Sequence, residues 1–250
     1  MIDVSGYTKL YGDTVAVRSL SFQVAPGDVL GLVGPNGAGK TTTLRAIAGI
    51  LRPTAGRIEV AGIDLQSNPV AAKARLAFMP DEPQLFDYLT VTEHLQFVAR
   101  LYGVPDAAPR IPSLLEELEL TAKKDALPPE LSRGMKQKLS IACGLLHRPA
   151  AILLDEPLTG LDPVGIRRMK ETIAARAREG TAVILSSHLL HLVEELCTRL
   201  LVIRRGEMVA LGTIDEIVSA RPELAGRSLE ELFITLTGDG APDGAVAGAA

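Results

Sequence analysis

A glycine-rich segment between residues 34 and 41 has the residue types that bind phosphate. It reads Gly34-Pro35-Asn36-Gly37-Ala38-Gly39-Lys40-Thr41, which matches the whole pattern G-x-x-x-x-G-K-[ST]. Glycines allow successive backbone N–H groups to turn towards one anion, and the Lys40 ammonium neutralises phosphate charge. The Thr41 hydroxyl is a ligand for Mg²⁺, and Thr42 follows it. We therefore predict a site for the phosphates of a nucleotide that is bound with Mg²⁺, and we call residues 34–41 the phosphate loop.

An acidic pair stands at the end of a second apolar run, Ile152-Leu153-Leu154-Asp155-Glu156-Pro157. Ligands of open α/β sheets bind at the edge where parallel strands end. Asp155 is predicted to hold Mg²⁺ through water, and Glu156 to polarise or deprotonate an attacking water. Alone, an acidic pair after a strand is more often a solvated turn. Beside a complete phosphate loop, it predicts hydrolysis of the nucleotide.

The elements that must position these residues follow from the apolar pattern. Buried strands are predicted at 29–33, directly before the phosphate loop, at 151–154 and at 182–185, side by side in one sheet. A helix after the loop is predicted from apolar residues at i, i+3, i+4 and i+7, namely Leu44, Ile47, Ala48 and Leu51. The first unit is therefore strand, loop and helix.

Between Glu93 and His147 the apolar spacing becomes helical, so a helical insertion is predicted to interrupt the α/β core. A later helix is predicted to begin at Asp162-Pro163, with Asp162 as the N-cap, and to end before Gly180. Apolar runs at 200–203 and 208–211 flank a glycine-containing turn and predict a β-hairpin. From residue 238 onward nine of thirteen residues are Gly or Ala, which predicts a disordered tail at 238–250.

Composition narrows the class of protein. A chain of 250 residues with 47% hydrophobic residues can bury a substantial core. Its formal charge of −4 gives no global basic surface for nucleic acid, so no nucleic-acid partner is expected. Cys143 and Cys197, both inside apolar helical patterns, indicate neither a disulfide framework nor a metal site. Because no window reaches about 18 uninterrupted apolar residues, we expect that the chain does not cross a membrane by itself.

A third motif, Leu131-Ser132-Arg133-Gly134-Met135-Lys136-Gln137, connects these features to a family. By itself, a serine before a helix is usually only a cap. With the other two motifs, the segment resembles the Leu-Ser-Gly-Gly-Gln signature of the nucleotide-binding subunits of ABC transporters, although Arg133 replaces a glycine and Met135 the glutamine. The resemblance extends from Tyr11 to about Leu236. It implies an α/β fold: a P-loop NTPase core with a mainly parallel sheet, an N-terminal antiparallel β region and a helical subdomain inserted at about 90–147, all within residues 1–237.

The resemblance also implies roles for single residues. Ser132 and Gly134 would contact the γ-phosphate of ATP bound to an opposing subunit, in a head-to-tail dimer. Tyr11 would stack on adenine, unless it is an ordinary half-buried tyrosine at a strand end. His188 in Ser186-Ser187-His188 matches a switch histidine that contacts the γ-phosphate, so it joins Glu156 as a candidate catalytic residue. Asp162 would also meet the partner subunit.

One departure from the family concerns the segment Met79-Pro80-Asp81-Glu82-Pro83. Asp81 stands where the family usually carries a glutamine that senses Mg²⁺ and the attacking water. The substitution leaves its role open, and we keep Asp81 as a candidate metal contact.

The function implied is an ATPase that binds MgATP and powers transport through a separate integral-membrane permease. The chain would be cytoplasmic and peripheral on the inner face of the cell membrane, and its ATPase partner would be a second copy or a homologous subunit. The Gly-Met-Lys-Gln-Lys form of the signature helix and the segment 228–233 resemble exporters more than importers. The alternative is an ABC-type ATPase of DNA repair, chromosome structure or translation. The lack of a coiled-coil insertion, of cysteine clusters and of a tandem nucleotide domain disfavours it.

Overall fold

The computed structural model describes residues 1–221 and 226–238. Over these residues the chain forms ten strands, β1 to β10: Ile2–Tyr11, Thr14–Val24, Val29–Val33, Ala55–Val60, Ile63–Asp64, Leu76–Met79, Ala151–Asp155, Ala182–Ser186, Arg199–Arg204 and Glu207–Gly212. It forms nine helices, α1 to α9: Lys40–Ile47, Pro69–Lys73, Val91–Leu101, Ala107–Glu117, Arg133–Leu146, Pro163–Arg178, Leu190–Leu196, Ile214–Ser219 and Leu229–Thr237.

The larger sheet has six strands in the order β10-β9-β3-β8-β7-β6. The five strands from β9 to β6 run parallel, and β10 returns antiparallel beside β9 as a hairpin. Every residue of β3, β7 and β8 is buried, as expected for parallel strands covered on both faces. Because parallel strands end at the same edge, the loops that follow β3, β7 and β8 meet there.

The second sheet is antiparallel, with four strands in the order β2-β1-β4-β5. It is built mainly from the N-terminal residues. None of its strands pairs with a strand of the larger sheet in the described residues. The fold class predicted from the sequence, a mainly parallel sheet with an N-terminal antiparallel region and inserted helices, is therefore confirmed.

Alternation along the parallel strands builds two cores on the two faces of the larger sheet. Leu153 and Ile184 face the side that also buries residues of α1 and of the antiparallel sheet. Leu154 and Leu185 face the opposite side, among residues of α5 and α6. The strands that end at the predicted site residues are therefore held by packing on both faces of the sheet.

Three helices, α3, α4 and α5, occupy the stretch where the sequence predicts a helical insertion, joined by 3₁₀ turns at Thr121–Lys123 and Pro128–Glu130. The start of α3 is fixed by a reciprocal cap, in which Thr90 accepts a hydrogen bond from the Glu93 N–H and the Glu93 carboxylate accepts one from the Thr90 N–H. The insertion packs on the core through α5, whose buried side chains share the α6 side of the sheet.

One sequence prediction is wrong, and another lies almost entirely outside the described residues. The helix after the phosphate loop ends at Ile47, so its predicted extension to Leu51 is wrong. The reason is Gly49, whose φ of 66° is left-handed and ends the helix, although Leu51 still packs against the same core. The predicted disordered tail at 238–250 lies outside the described residues except for Gly238, which caps α9.

Candidate active site

The phosphate loop connects the end of β3 to the start of α1 and requires glycine at positions 34 and 39. Gly39 has a φ of 104°, which L-residues with side chains rarely adopt. At Gly34, a Cβ atom would lie 2.3 Å from the carbonyl oxygen of Ile203 on β9. The loop borders a cavity of about 280 Å³, lined by Asn36, Gly37, Ala38, Gly39, Lys40, Thr41 and Thr42, and by Ala16, Asp155, Glu156 and Ser186. The predicted phosphate-binding residues and the predicted acidic pair therefore share one cavity.

Lys40 supplies the cationic group of this cavity. Its ammonium donates hydrogen bonds to the carbonyl oxygens of Gly34, at 2.7 Å, and Pro35, at 3.1 Å. Burial lowers the pKa of Lys40, while the charges of Glu156 and Asp155 act in the opposite direction. Gly34 and Pro35 do not line the cavity themselves. They hold the side chain of Lys40, which does line it.

Asp155 ends β7 and is only 5% exposed. Burial raises the pKa of its carboxyl, and the nearby hydroxyls of Thr41 and Ser186 partly oppose this rise. The Ser186 hydroxyl is itself buried without a hydrogen bond of ordinary geometry. Three oxygen groups with no nitrogen or sulfur ligand therefore converge at the floor of the cavity.

This donor set fits Mg²⁺, which prefers oxygen and is usually held by one or two carboxylates together with substrate phosphates and water. No group of three or more His, Cys, Asp or Glu side chains in the described part of the chain could hold a metal ion. Because one carboxylate and two hydroxyls leave room for phosphate and water ligands, the residues at the cavity suit a magnesium ion that is shared with a bound nucleotide.

Glu156 follows Asp155 in a strained backbone conformation, with a φ of 51°. Its N–H donates to the carbonyl oxygen of Ser186 at 2.9 Å, which ties it to the end of β8. Its Oε2 atom accepts hydrogen bonds from Nδ1 of His188, at 2.8 Å, and from the backbone N–H of His188, at 3.3 Å. The two residues predicted to be catalytic are thus in direct contact.

Two residues of the cavity were missed by the sequence reasoning. Ser186 directly follows the apolar run of β8, in the same Ser-Ser-His segment that identified His188, so its position could have been noticed. Ala16 lies on β2, and its carbonyl oxygen would be 2.8 Å from a Cβ on Gly39. Nothing in the sequence pattern indicates that approach.

Tyr11 lies at the end of β1, paired with Thr14 across the hairpin that leads to Ala16. Its ring is about half exposed, and the Lys9 ammonium lies 5.1 Å from the ring centroid. Its adenine-stacking role stays a prediction.

The signature segment forms the start of α5. The Ser132 hydroxyl caps the helix by accepting a hydrogen bond from the Met135 N–H, at 3.2 Å. A Cβ on Gly134 would lie 2.9 Å from the carbonyl oxygen of Gly160, so this glycine is required for packing inside the chain. Asp162 is the N-cap of α6 and accepts from the Gly165 N–H at 2.7 Å.

Asp81 follows β6, and its carboxylate forms an ion pair of 3.2 Å with Arg133. The residue that replaces the family's glutamine is therefore paired with the residue that replaces a signature glycine. Its role as a metal contact stays a prediction.

Comparison with known proteins shows the family of the chain. The sequence pattern of the ABC transporter family matches residues 17–159. The chain is 33% identical to the ABC-type transporter ATP-binding protein EcsA of Bacillus subtilis, over 95% of this chain and 96% of that protein. It is 40% identical to the Nod factor export ATP-binding protein I of Burkholderia pseudomallei, over 88% of this chain and 73% of that protein.

A solved structure described as the ATP-binding subunit of an ABC transporter superposes with a TM-score of 0.90 at 34% identity, over 94% of this chain and 99% of the other. Within the described residues, no helix is both long and apolar enough to span a bilayer. From the family pattern and the close relatives, we conclude that the chain belongs to the ABC transporter family, as one of its ATP-binding, ATP-hydrolysing subunits.

Proposed function

We propose that this chain binds MgATP in the cavity beside the phosphate loop, pairs head-to-tail with a second ATPase subunit, and powers export through a separate membrane permease. The observation that carries the proposal is the meeting of Lys40, Asp155 and Glu156 at one cavity. These three groups supply the charge neutralisation, metal ligation and water activation that ATP hydrolysis needs.

In the proposed mechanism, the loop N–H groups and the start of α1 hold the β- and γ-phosphates, and Lys40 neutralises their charge. Thr41 and Asp155, with Ser186 beside them, would hold Mg²⁺, which neutralises phosphate charge when bound. Glu156 orients a water for in-line attack on the γ-phosphate and accepts its proton. Its strained backbone, fixed to Ser186, directs the carboxylate into the cavity.

His188 positions the base in this mechanism. Because an ionised carboxylate only accepts hydrogen bonds, Nδ1 of His188 carries the proton of the bond to Glu156. This hydrogen bond holds the ring beside the base and directs the Glu156 carboxylate.

The second subunit would complete the site. The Ser132 hydroxyl uses its oxygen to cap α5 and keeps its own O–H for donation to a phosphate. Ser132 and Asp162 are exposed, and Gly134 is partly so, as residues that meet a partner must be. The start of a 14-residue helix adds positive potential towards an anion.

A surface that fits the permease lies between the segment after β6 and helices α3 and α5. It is a groove of about 300 Å³, which we call the aromatic groove. Four exposed large apolar side chains line it: Phe86, Phe97, Leu101 and Tyr102. Clustered exposed apolar side chains of this kind mark interaction sites, and an amphipathic helix suits such a groove. We assign it to a cytoplasmic helix of the permease.

The match to a Nod factor export protein supports the export direction.

The composite site makes a first prediction, on Glu156→Gln. The change keeps size and hydrogen bonding but removes the base and one negative charge near the γ-phosphate, so ATP should bind while hydrolysis slows by about 10²-fold or more. The closed pair should accumulate. Size-exclusion chromatography with light scattering is expected to show a dimer with Mg²⁺ and ATP, and a monomer with ADP.

The control variants separate phosphate binding from dimer formation. Adding Ser132→Arg to Glu156→Gln places a bulky side chain at the seam and should restore the monomer, whereas Ser113→Arg on α4 should not. Adding Lys40→Ala should abolish the dimer by weakening ATP binding. A monomer in Glu156→Gln at saturating ATP, or an unchanged dimer after Ser132→Arg, would rule out the composite site but leave the ATP-binding cavity standing.

A further inference from the structure

The two residues that depart from the resembled family motifs contact each other. Arg133 lies 52 positions after Asp81 in the chain, and a guanidinium nitrogen of Arg133 is 3.2 Å from Oδ1 of Asp81. One residue adjoins the predicted trans phosphate contacts Ser132 and Gly134. The other follows β6, whose end is paired with the end of β7 that carries Asp155. The ion pair therefore joins two regions with separate roles in the proposed function.

The stem of Arg133 makes a second contact. A Cβ on Gly160 would lie 3.1 Å from Cδ of Arg133 and 3.4 Å from its Cγ and Nε, so the stem covers Gly160 closely. Gly134 approaches the carbonyl oxygen of the same residue. Gly160 lies in the connection between Glu156 and α6. The start of α5 is therefore packed onto the segment that follows the catalytic base.

Asp81 acts on the other side of the site. It follows β6 by two residues, and Met79 of β6 pairs with Leu154 of β7, so Asp81 lies at the sheet edge where Asp155 ends β7. Arg133 offsets the charge of Asp81 and thereby limits the negative charge beside the phosphates. The pair thus has an electrostatic effect on the ATP site as well as a mechanical one.

We propose that Arg133 is a positioning residue that couples the two half-sites of the dimer. Through Asp81 and Gly160 it ties the surface that contacts a partner's ATP to the loops that hold the chain's own ATP. The inference rests on the proposed function, since it requires the head-to-tail pair. Breaking the ion pair weakens hydrolysis by the dimer and leaves nucleotide binding by the single chain unchanged.

A double-mutant cycle tests the coupling. Asp81→Asn and Arg133→Gln are each expected to lower ATPase kcat by about two- to fivefold, the range of an exposed ion pair. The double variant should be no worse than either single variant. Arg133→Lys, which keeps the charge and much of the stem, should recover most of the activity. In the Ser132→Arg background, where dimerisation is blocked, the Kd for a fluorescent ATP analogue should be equal in all variants.

Ionic strength and a second exposed ion pair provide two controls for this experiment. The side chains of Arg133 and Asp81 are 58% and 45% exposed, so rising ionic strength should bring wild-type kcat towards that of the variants. Arg167 and Glu171 on α6 form a comparable exposed pair at 3.1 Å, and Arg167→Gln should leave kcat unchanged.

Additive losses in the double variant would overturn the inference, as would a loss in Arg167→Gln equal to that in Arg133→Gln. A changed Kd in the monomeric background would do the same, since it would place the pair within nucleotide binding. A wild-type chain without ATPase activity would overturn the proposed function and this inference with it.

Discussion

At the scale of single residues, the site contains a carboxylate whose burial works against stability. Asp155 is almost fully buried, and burial raises the pKa of its carboxyl above the ordinary 3.8. The folded chain therefore holds the proton more tightly than the unfolded chain does, and ionisation at neutral pH favours unfolding. Metal-binding carboxylates are often kept at such a cost, because the charge is needed only when the ligand is bound.

Replacement of Asp155 by asparagine should therefore stabilise the nucleotide-free chain at pH 7 while abolishing ATPase activity. We expect a Tm gain of about 2–4 °C, corresponding to about 1 kcal/mol for a chain of this size. The penalty in the wild type is complete above the pKa of the folded state and disappears below that of the unfolded state. The gain should shrink as pH falls towards 4, measured by differential scanning fluorimetry.

Asp125→Asn is the matched control, because Asp125 is exposed on the helical insertion. It should change Tm little at any pH. A Tm gain in Asp155→Asn that does not depend on pH would contradict the burial argument, and a loss of stability at pH 7 would contradict it more directly.

At the scale of elements, helix starts carry much of the candidate site. The phosphate loop opens α1, Ser132 caps α5 and Asp162 caps α6. Each helix begins with free backbone N–H groups and a positive potential, which suits anion binding as well as capping. A residue at such a position can therefore serve the helix, a partner's phosphate, or both.

Asp162 allows the two roles to be separated. Asp162→Ala removes the bond to the Gly165 N–H and should cost about 1 kcal/mol, seen as a Tm decrease of about 2–4 °C. Asp162→Asn keeps a good cap and should retain the wild-type Tm. In the Glu156→Gln background, loss of the ATP-dependent dimer in Asp162→Asn would identify an interface role, whereas an intact dimer would restrict Asp162 to capping. Equal Tm losses in both variants would contradict the capping assignment.

The sequence predicts elements best where a local pattern fixes them. The strands β3, β7 and β8 appear as apolar runs, and the Asp162-Pro163 pair marks the start of α6 at the correct residue. The end of α1 is mispredicted because apolar spacing continues past Gly49, which adopts the left-handed conformation. Periodicity alone does not show where the backbone turns.

Contacts between distant segments are not visible in such patterns. The sequence identifies Asp81 and Arg133 as separate departures from a family, but their ion pair joins residues 52 positions apart. Likewise, His188 is predicted from its place after a strand, whereas its bond to Glu156 depends on β7 and β8 being neighbours. These contacts follow from the topology of the sheet, which no single segment encodes.

At the scale of the whole molecule, one segment connects the ATP site to the aromatic groove. After β6, which pairs with β7, the chain passes Asp81, which is paired with Arg133, and continues to Gln84, Leu85 and Phe86, which line the groove. Phe86 packs edge-to-face on Phe97 of α3, with ring centroids 5.3 Å apart. Movement of Asp81 on nucleotide binding would therefore be passed to the groove over a few residues, as the proposed coupling to a permease requires.

Leu101→Glu tests whether the groove binds the permease. Leu101 is exposed and lines the groove, and a carboxylate there would lose water on docking, so membrane association should fall about tenfold or more. The measurement is the fraction of the chain that sediments with membranes of its native host. Val70→Glu on α2, an even more exposed apolar position outside the groove, should sediment like the wild type. ATPase activity of the isolated protein should be unchanged in both variants, because neither residue lines the ATP cavity.

Equal sedimentation of Leu101→Glu and wild type would exclude the groove as the docking surface. A wild-type chain that stays in the soluble fraction would instead favour an ABC-type ATPase that acts without a membrane partner.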